Sequence, residues 1–223
     1  INFNILFDIV FHFGEYSRVE ISEYENLLCF DNTMATIGKI IEFCLINKCK
    51  LIYSGSSTKF STEGEYLSPY TFYKAQNVKT VKYICSRYNI PFSIVYFSNV
   101  YGQSEISDGR YATVIAKFLA ARARNEKVFV SKPGTQTRAF TYIDDTVEGI
   151  ILSADKGYGD GYVIGASKQY SIIEVCKMIG LHYELVESDL SNRKNSIINT
   201  QKINALGWQP KMDLINYIKS EIV

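Results

Sequence analysis

The chain has 223 residues, 47% of them hydrophobic, enough for one large domain or one domain with a small appendage. Its formal net charge is +1 with no long basic or acidic run, which argues against an electrostatic nucleic-acid surface. No apolar run reaches the roughly 18 residues that a membrane span needs, and the start Ile1-Asn2-Phe3-Asn4 shows no signal pattern.

Five cysteines, Cys29, Cys44, Cys49, Cys85 and Cys176, are odd in number and scattered along helical patterns. They read as reduced, mostly buried thiols of a cytoplasmic protein, and no metal site is expected from them.

The first element is the apolar run Phe7 to Phe13, of the kind that forms a buried parallel strand. Gly14-Glu15-Tyr16-Ser17 follows, where ligands bind in open α/β sheets. A helix can start at Asp31 or Asn32, with Met34, Ile37, Ile40, Ile41, Cys44 and Leu45 as its apolar stripe. Leu51-Ile52-Tyr53 is a second strand. It ends in Ser54-Gly55-Ser56-Ser57-Thr58, whose hydroxyls could cap a turn or meet a substrate.

Ser68 and Pro69 then form a helix start, with Phe72, Ala75, Val78, Val81, Ile84, Cys85 and Tyr88 at helical spacing. Tyr70 and Lys74 lie four residues apart and so share a face of that helix. An ammonium near a phenol favours the phenolate, which would make Tyr70 a general base near neutral pH. The bland alternative is an exposed helical pair. Tyr73 offers a second phenol but points about 100° away around the helix.

Phe92 to Phe97 is a third strand, so the order to that point is strand, helix, strand, helix, strand. Ser98-Asn99-Val100-Tyr101-Gly102 closes it, and Asn99 can serve a turn or a polar ligand. Beyond Gly102 the elements shorten, which suggests a second, smaller, interleaved region. A helix is expected over Ala112 to Arg124 with Val114, Ile115, Phe118 and Leu119 inward. Strands are expected at Lys127 to Val130, Phe140 to Ile143 and Tyr162 to Ile164. Asp144 or Asp145 would cap a helix carrying Val147, Ile150, Ile151 and Ala154, and the run Phe140 to Ala154 could return to the first sheet. Ser171 to Glu174 is a capping box. Two short helical patterns flank Gly207-Trp208-Gln209-Pro210 near the end.

Taken together and in order, these motifs resemble the extended short-chain dehydrogenase/reductases of the NAD-dependent epimerase/dehydratase family, which act on nucleotide sugars. The matching segments are Asp8 to Phe13, Ser54 to Phe60, the pair Tyr70 and Lys74, Asn99 to Gly102, and Arg138 to Asp145. Arg193 before Leu206 to Pro210 is a sixth match. The resemblance implies an α/β fold: a Rossmann-type doubly wound parallel sheet with a smaller interleaved α/β substrate-binding region. Residues 1–102, with a return near 139–160, would belong to the dinucleotide-binding domain, and 103–223 mainly to the substrate region.

The implied activity is a nucleotide-sugar epimerase working through transient oxidation to a keto sugar. The alternatives are a 4-reductase or a dehydratase of the same family, or a non-catalytic cofactor-binding member. Tyr70 would be the base, Lys74 would lower its pKa and reach the nicotinamide ribose, and Ser56 would orient the reacting oxygen. The cofactor would be NAD, with NADP open, lying along Phe13, Gly14, Tyr70, Lys74 and Phe97. Ser56, Ser57, Asn99, Arg138 and Arg193 would meet the nucleotide sugar, the two arginines at its diphosphate. A homodimer through the helix starting near Asp31 and the helix of Tyr70 is also implied.

Several positions depart from the family pattern. The glycine-rich dinucleotide fingerprint is absent, so the sequence reads as lacking about 65 to 75 residues of the family's first units. Gly14-Glu15 stands in place of an alanine pair. Glu15 would contact the nicotinamide side or the substrate, or else be a solvated strand-end acid. Ala35 stands where many members carry Asn. Ser57-Thr58 stands where sugar 4,6-dehydratases carry Asp-Glu, which argues against water elimination.

Overall fold

The computed structural model describes residues 7–60, 64–187 and 198–222. In chain order the elements are β1 (Ile9–His12), α1 (Asn26–Asn47), β2 (Lys50–Gly55), α2 (Pro69–Arg87), β3 (Phe92–Phe97) and β4 (Val100–Tyr101). There follow α3 (Val114–Ala123), β5 (Val128–Ser131), β6 (Thr137–Ala139), β7 (Thr141–Tyr142), α4 (Ile143–Asp155) and β8 (Gly159–Ile164). The last are β9 (Gln169–Ser171), α5 (Ile172–Ile179), β10 (Tyr183–Val186), α6 (Gln201–Asn204) and α7 (Leu214–Glu221).

Four strands form a parallel sheet in the order β1-β2-β3-β8, with Ile9 opposite Lys50, Leu51 opposite Phe92 and Tyr96 opposite Val163. The central strands read as unbroken apolar runs because both of their faces are covered. On one face Ile37 and Ile41 of α1 and Val78, Val81 and Cys85 of α2 pack on Leu51, Tyr53, Ile94 and Tyr96. On the other, Ala154 of α4 and Ile203 of α6 join Trp208 over Ile52, Val95 and Ile164. The sheet is therefore wound on both sides. A second core, away from the sheet, joins α3, α5 and α7 through Ile115, Phe118, Val175, Ile179, Leu214 and Ile218.

The start of α2 follows its sequence. Ser68 is the N-cap, its Oγ accepting from Thr71 N at 3.3 Å while Thr71 Oγ1 accepts from Ser68 N at 2.9 Å, and Pro69 opens the helix. Ser171 caps α5 in the same reciprocal way with Glu174.

The helices differ from expectation in their starts and in which side chains they bury. α1 begins at Asn26 rather than at Asp31 or Asn32, because its buried stripe runs back through Thr33 to Cys29; Leu45 lies outside that stripe, exposed. Val147 and Ile151 face outward from α4, and Val114 at the start of α3 is exposed. α4 instead turns its smaller residues inward. A Cβ at Gly149 would sit 3.0 Å from Ile164, so the helix lies closer to the sheet than a larger side chain allows. The N-cap of α4 is Tyr142, and Asp144 and Asp145 occupy its first turn. Lys50 at the start of β2 binds the other end of α4, donating to the carbonyls of Ser153, Ala154 and Gly157 at 3.2, 2.6 and 2.6 Å. Among the described residues no helix is long and apolar enough to cross a membrane.

Candidate active site

Because β1, β2, β3 and β8 run parallel, the segments leaving their carboxyl ends gather along one edge of the sheet. Those segments are Phe13 to Glu15, Ser56 to Thr58, Ser98-Asn99 and Gly165-Ala166. The first turn of α2 brings Tyr70 over this edge, with its backbone N–H donating to Ser22 Oγ at 3.2 Å.

Ser56 is buried directly after β2. Its Oγ lies 2.6 Å from Thr58 Oγ1, and it stands close enough to the Tyr70 phenol to bear on its protonation. The structure thus brings Ser56 and Tyr70 together. Burial raises the Tyr70 pKa above its ordinary value, and the charge of Glu15 pushes the same way. Nearby Ser56 and Arg18 oppose the rise.

Lys74 stands one helical turn further on and is directed into the protein. Its Nζ donates to Glu15 Oε2 at 2.6 Å and to Ser54 Oγ at 3.3 Å, and lies 4.6 Å from the centroid of the Tyr53 ring. The pair is dry, with side-chain exposures of 4% for Lys74 and 1% for Glu15. Glu15 also accepts from Tyr53 Oη at 2.9 Å and Asn77 Nδ2 at 3.1 Å, and His12 Nε2 lies 3.1 Å from its Oε1. Burial works to raise the Glu15 pKa, but the bonds from His12, Lys74 and Tyr53 outweigh it and hold the carboxyl below its ordinary value. Burial lowers the Lys74 pKa, and Glu15 opposes that fall.

One expectation about this corner is therefore overturned. Glu15 is neither a solvated acid nor directed at a ligand, because its carboxylate is taken up by four internal partners. Burial keeps the Tyr70 pKa raised, and the Lys74 ammonium is held by Glu15. Sequence reasoning placed Glu15 at the site but missed its partners. Asn77, one turn beyond Lys74 on the same helix face, was the available signal.

The remaining site positions fall in two groups. Phe13 and Phe97 stack edge to face with centroids 5.5 Å apart, and beside them Gly14 is exposed with open space where a Cβ would stand. Ser57 is half-buried next to Ser56. Asn99 has φ 32° and donates through Nδ2 to Ala139 O at 2.8 Å, which ties it to β6 and the residue after Arg138. Arg138 is half-buried, with Nη1 donating to Thr137 O at 2.8 Å. Arg193 lies outside the described residues.

Arg18, which sequence reasoning did not single out, links the two groups. It lines a cavity of ≈ 350 Å³ with Asn99, Glu105, Thr113 and Phe140, and its charge reaches Tyr70. Its position on the loop leaving β1 was the only sequence signal.

A doubly wound parallel sheet with Ser56, Tyr70 and Lys74 at its carboxyl edge has the form of an extended short-chain dehydrogenase/reductase. The chain belongs to the NAD dependent epimerase/dehydratase family, whose model matches residues 3–165. It is 28% identical over 241 residues to human dTDP-D-glucose 4,6-dehydratase, covering 96% of this chain and 67% of that protein. The bovine counterpart is matched over 66% of its length, so the chain spans about two thirds of these relatives. Its fold superposes on a UDP-N-acetylglucosamine 4-epimerase from Methanobrevibacter ruminantium, solved in complex with UDP-N-acetylmuramic acid. That match has a TM-score of 0.87 at 22% identity, over 96% of this chain and 75% of the other. It also superposes on the UDP-glucose 4-epimerase of Thermus thermophilus, solved with NAD, with a TM-score of 0.84 at 19% identity over 96% and 76% of the two chains.

Proposed function

We propose that this chain carries the reacting half of an NAD-dependent nucleotide-sugar epimerase. The observation that carries the reading is the gathering of Ser56, Tyr70 and, one turn further on, Lys74 at the carboxyl edge of a parallel sheet. In this reading Tyr70 removes the proton of a sugar hydroxyl, and Ser56 holds the same oxygen in line. The carbon becomes a ketone as its hydride departs. Rotation of the keto sugar then presents the other face for the hydride's return.

NAD, when bound, would accept and return that hydride. The open space at Gly14, the flanking rings of Phe13 and Phe97, and the remaining N–H of Lys74 fit the nicotinamide end of the dinucleotide. The sequence contains no G-x-G-x-x-G, so these residues fit that end only. NADP would fit them equally.

The nucleotide sugar would lie toward Ser57, Asn99 and the cavity beside Arg18, with Arg138 and Arg193 on its diphosphate. Arg138→Ala is expected to raise the Michaelis constant roughly 10- to 100-fold, equivalent to about 1.5–3 kcal/mol of lost charge-assisted bonding. Turnover should change far less. An unchanged Michaelis constant would remove Arg138 from the diphosphate site.

The human relative raises a dehydratase reading. Elimination of water needs an acid and a base, and the positions in question hold the hydroxyls of Ser57 and Thr58. Inversion at C4 is the better fit. The reading is tested by supplying NAD with UDP- and dTDP-linked hexoses and hexuronates and examining the recovered sugar by NMR. A C4-inverted sugar supports it; a 4-keto-6-deoxy sugar would replace it with the dehydratase.

A homodimer through α1 and α2 belongs to the same proposal. Leu27, Leu28, Phe30 and Tyr83 are exposed apolar side chains on those helices. Sedimentation should give twice the chain mass, and Leu27→Glu should halve it. The five free, buried thiols favour a cytoplasmic setting.

A further inference from the structure

The carboxylate of Glu15 stands where the family pattern has a methyl group, and every one of its contacts is internal. Oε1 meets His12 Nε2 and Asn77 Nδ2, and Oε2 meets Tyr53 Oη and Lys74 Nζ. Four partners use the acceptor capacity of two carboxylate oxygens. Asn77 is itself braced, donating to Thr33 O of α1 at 2.7 Å. The carboxylate is thus clamped by β1, β2 and α2 and cannot swing toward a ligand.

Among the described residues, Lys74 is the only lysine or arginine in contact with it. A buried ammonium without a counter-ion gives up its proton. Here Glu15 and Ser54 take two of the three ammonium donors, and the Tyr53 ring covers one side. Among the described residues a third N–H is left without an oxygen partner.

We propose that Glu15 is a positioning residue for Lys74: a built-in counter-ion that keeps the ammonium charged and seated, with one N–H directed to a ligand hydroxyl. The ion pair stands on its own geometry; its consequence for turnover rests on the functional reading above.

The consequence is electrostatic. The negative charge of Glu15 raises the Tyr70 pKa and so offsets what Lys74 does to favour the phenolate. The other groups bearing on this pair are His12, Tyr53 and Cys29 around Glu15, with Tyr70 above and Arg18 facing Tyr70. Of these only Arg18 opposes the rise in the Tyr70 pKa by its charge.

The test is Glu15→Gln, which keeps the shape and one acceptor oxygen and removes the charge. The first readout needs no cofactor: the pH dependence of Lys74 reductive methylation, followed by peptide mass spectrometry in the whole protein. In the variant its midpoint should fall by at least about one pH unit, a tenfold change in the protonation equilibrium. Glu15→Asp should restore most of the shift. Equal midpoints in the native protein and Glu15→Gln would overturn the proposal.

The second readout covers a poorly folding variant. The double change Glu15→Gln with Lys74→Met should melt higher than either single change, because it leaves no lone buried charge. Additive losses would overturn the proposal. The third is the pH profile of turnover. Both limbs should move to lower pH in Glu15→Gln, whereas a merely structural loss lowers turnover equally at every pH. Absence of turnover in the native protein with every nucleotide sugar would sink the functional reading, while the first two readouts would still decide the role of Glu15.

Discussion

Tyr70→Phe is expected to reduce turnover by about 10²- to 10⁴-fold, the usual contribution of a positioned proton-transfer group, while leaving nucleotide-sugar binding nearly intact. The substitution removes one oxygen. The ring still fills its place over the sheet edge, and the backbone bond from Tyr70 N to Ser22 Oγ is untouched. Ser56 keeps its contact with Thr58 at 2.6 Å. Turnover and calorimetric binding measured on the same preparation separate the two effects, and equal losses in both would make Tyr70 a structural residue.

The protonation of Tyr70 adds a second signature. Its pKa is raised, first by burial and then by the charge of Glu15. A base acts through its deprotonated form, so turnover should climb with pH into the alkaline range. A flat profile across that range would remove Tyr70 as the base.

The largest effect on stability should come from Glu15→Ala. It leaves the ammonium of Lys74 buried with no counter-ion and opens a cavity among His12, Tyr53 and Asn77. Breaking such a pair from one side costs about 3–5 kcal/mol. Urea unfolding at neutral pH measures it, and a loss below about 1 kcal/mol, the range of exposed ion pairs, would mean that water reaches Lys74.

The pH dependence has a definite sign. The native pKa of Glu15 lies below its ordinary value. Its contribution is therefore complete above the ordinary carboxyl value and is lost as pH falls through the lowered native one. The native protein should lose stability on acidification faster than the Glu15→Ala variant does.

What could be read from the sequence was mainly local. The alternation of β1, α1, β2, α2 and β3 follows from buried apolar runs separated by helical stripes. The starts of α2 and α5 follow from caps whose partners are three residues away. The spacing of Tyr70 and Lys74 put them on one helix face.

What was hidden depended on contacts between distant segments. The start of α1 was obscured because Cys29 and Thr33, small and not strongly apolar, carry its stripe. The outward turn of Val147 and Ile151 follows from the close seating of Gly149 on Ile164, which no periodicity reveals. Glu15 was visible as a departure from a pattern, but its burial depends on Tyr53, Lys74 and Asn77, 38 to 62 residues away. The link that Arg18 makes between the Tyr70 corner and the cavity at Asn99 is of the same long-range kind.

The most direct test of the central claim is to run the reaction in deuterated water, with the protein at its natural length, NAD and a nucleotide sugar that it inverts. The inverted sugar is then examined for deuterium at C4. Oxidation at Tyr70 followed by return of the same hydride predicts inversion with the original hydrogen kept at C4. Deuterium at that carbon, or no inversion of any nucleotide sugar offered, would contradict the account.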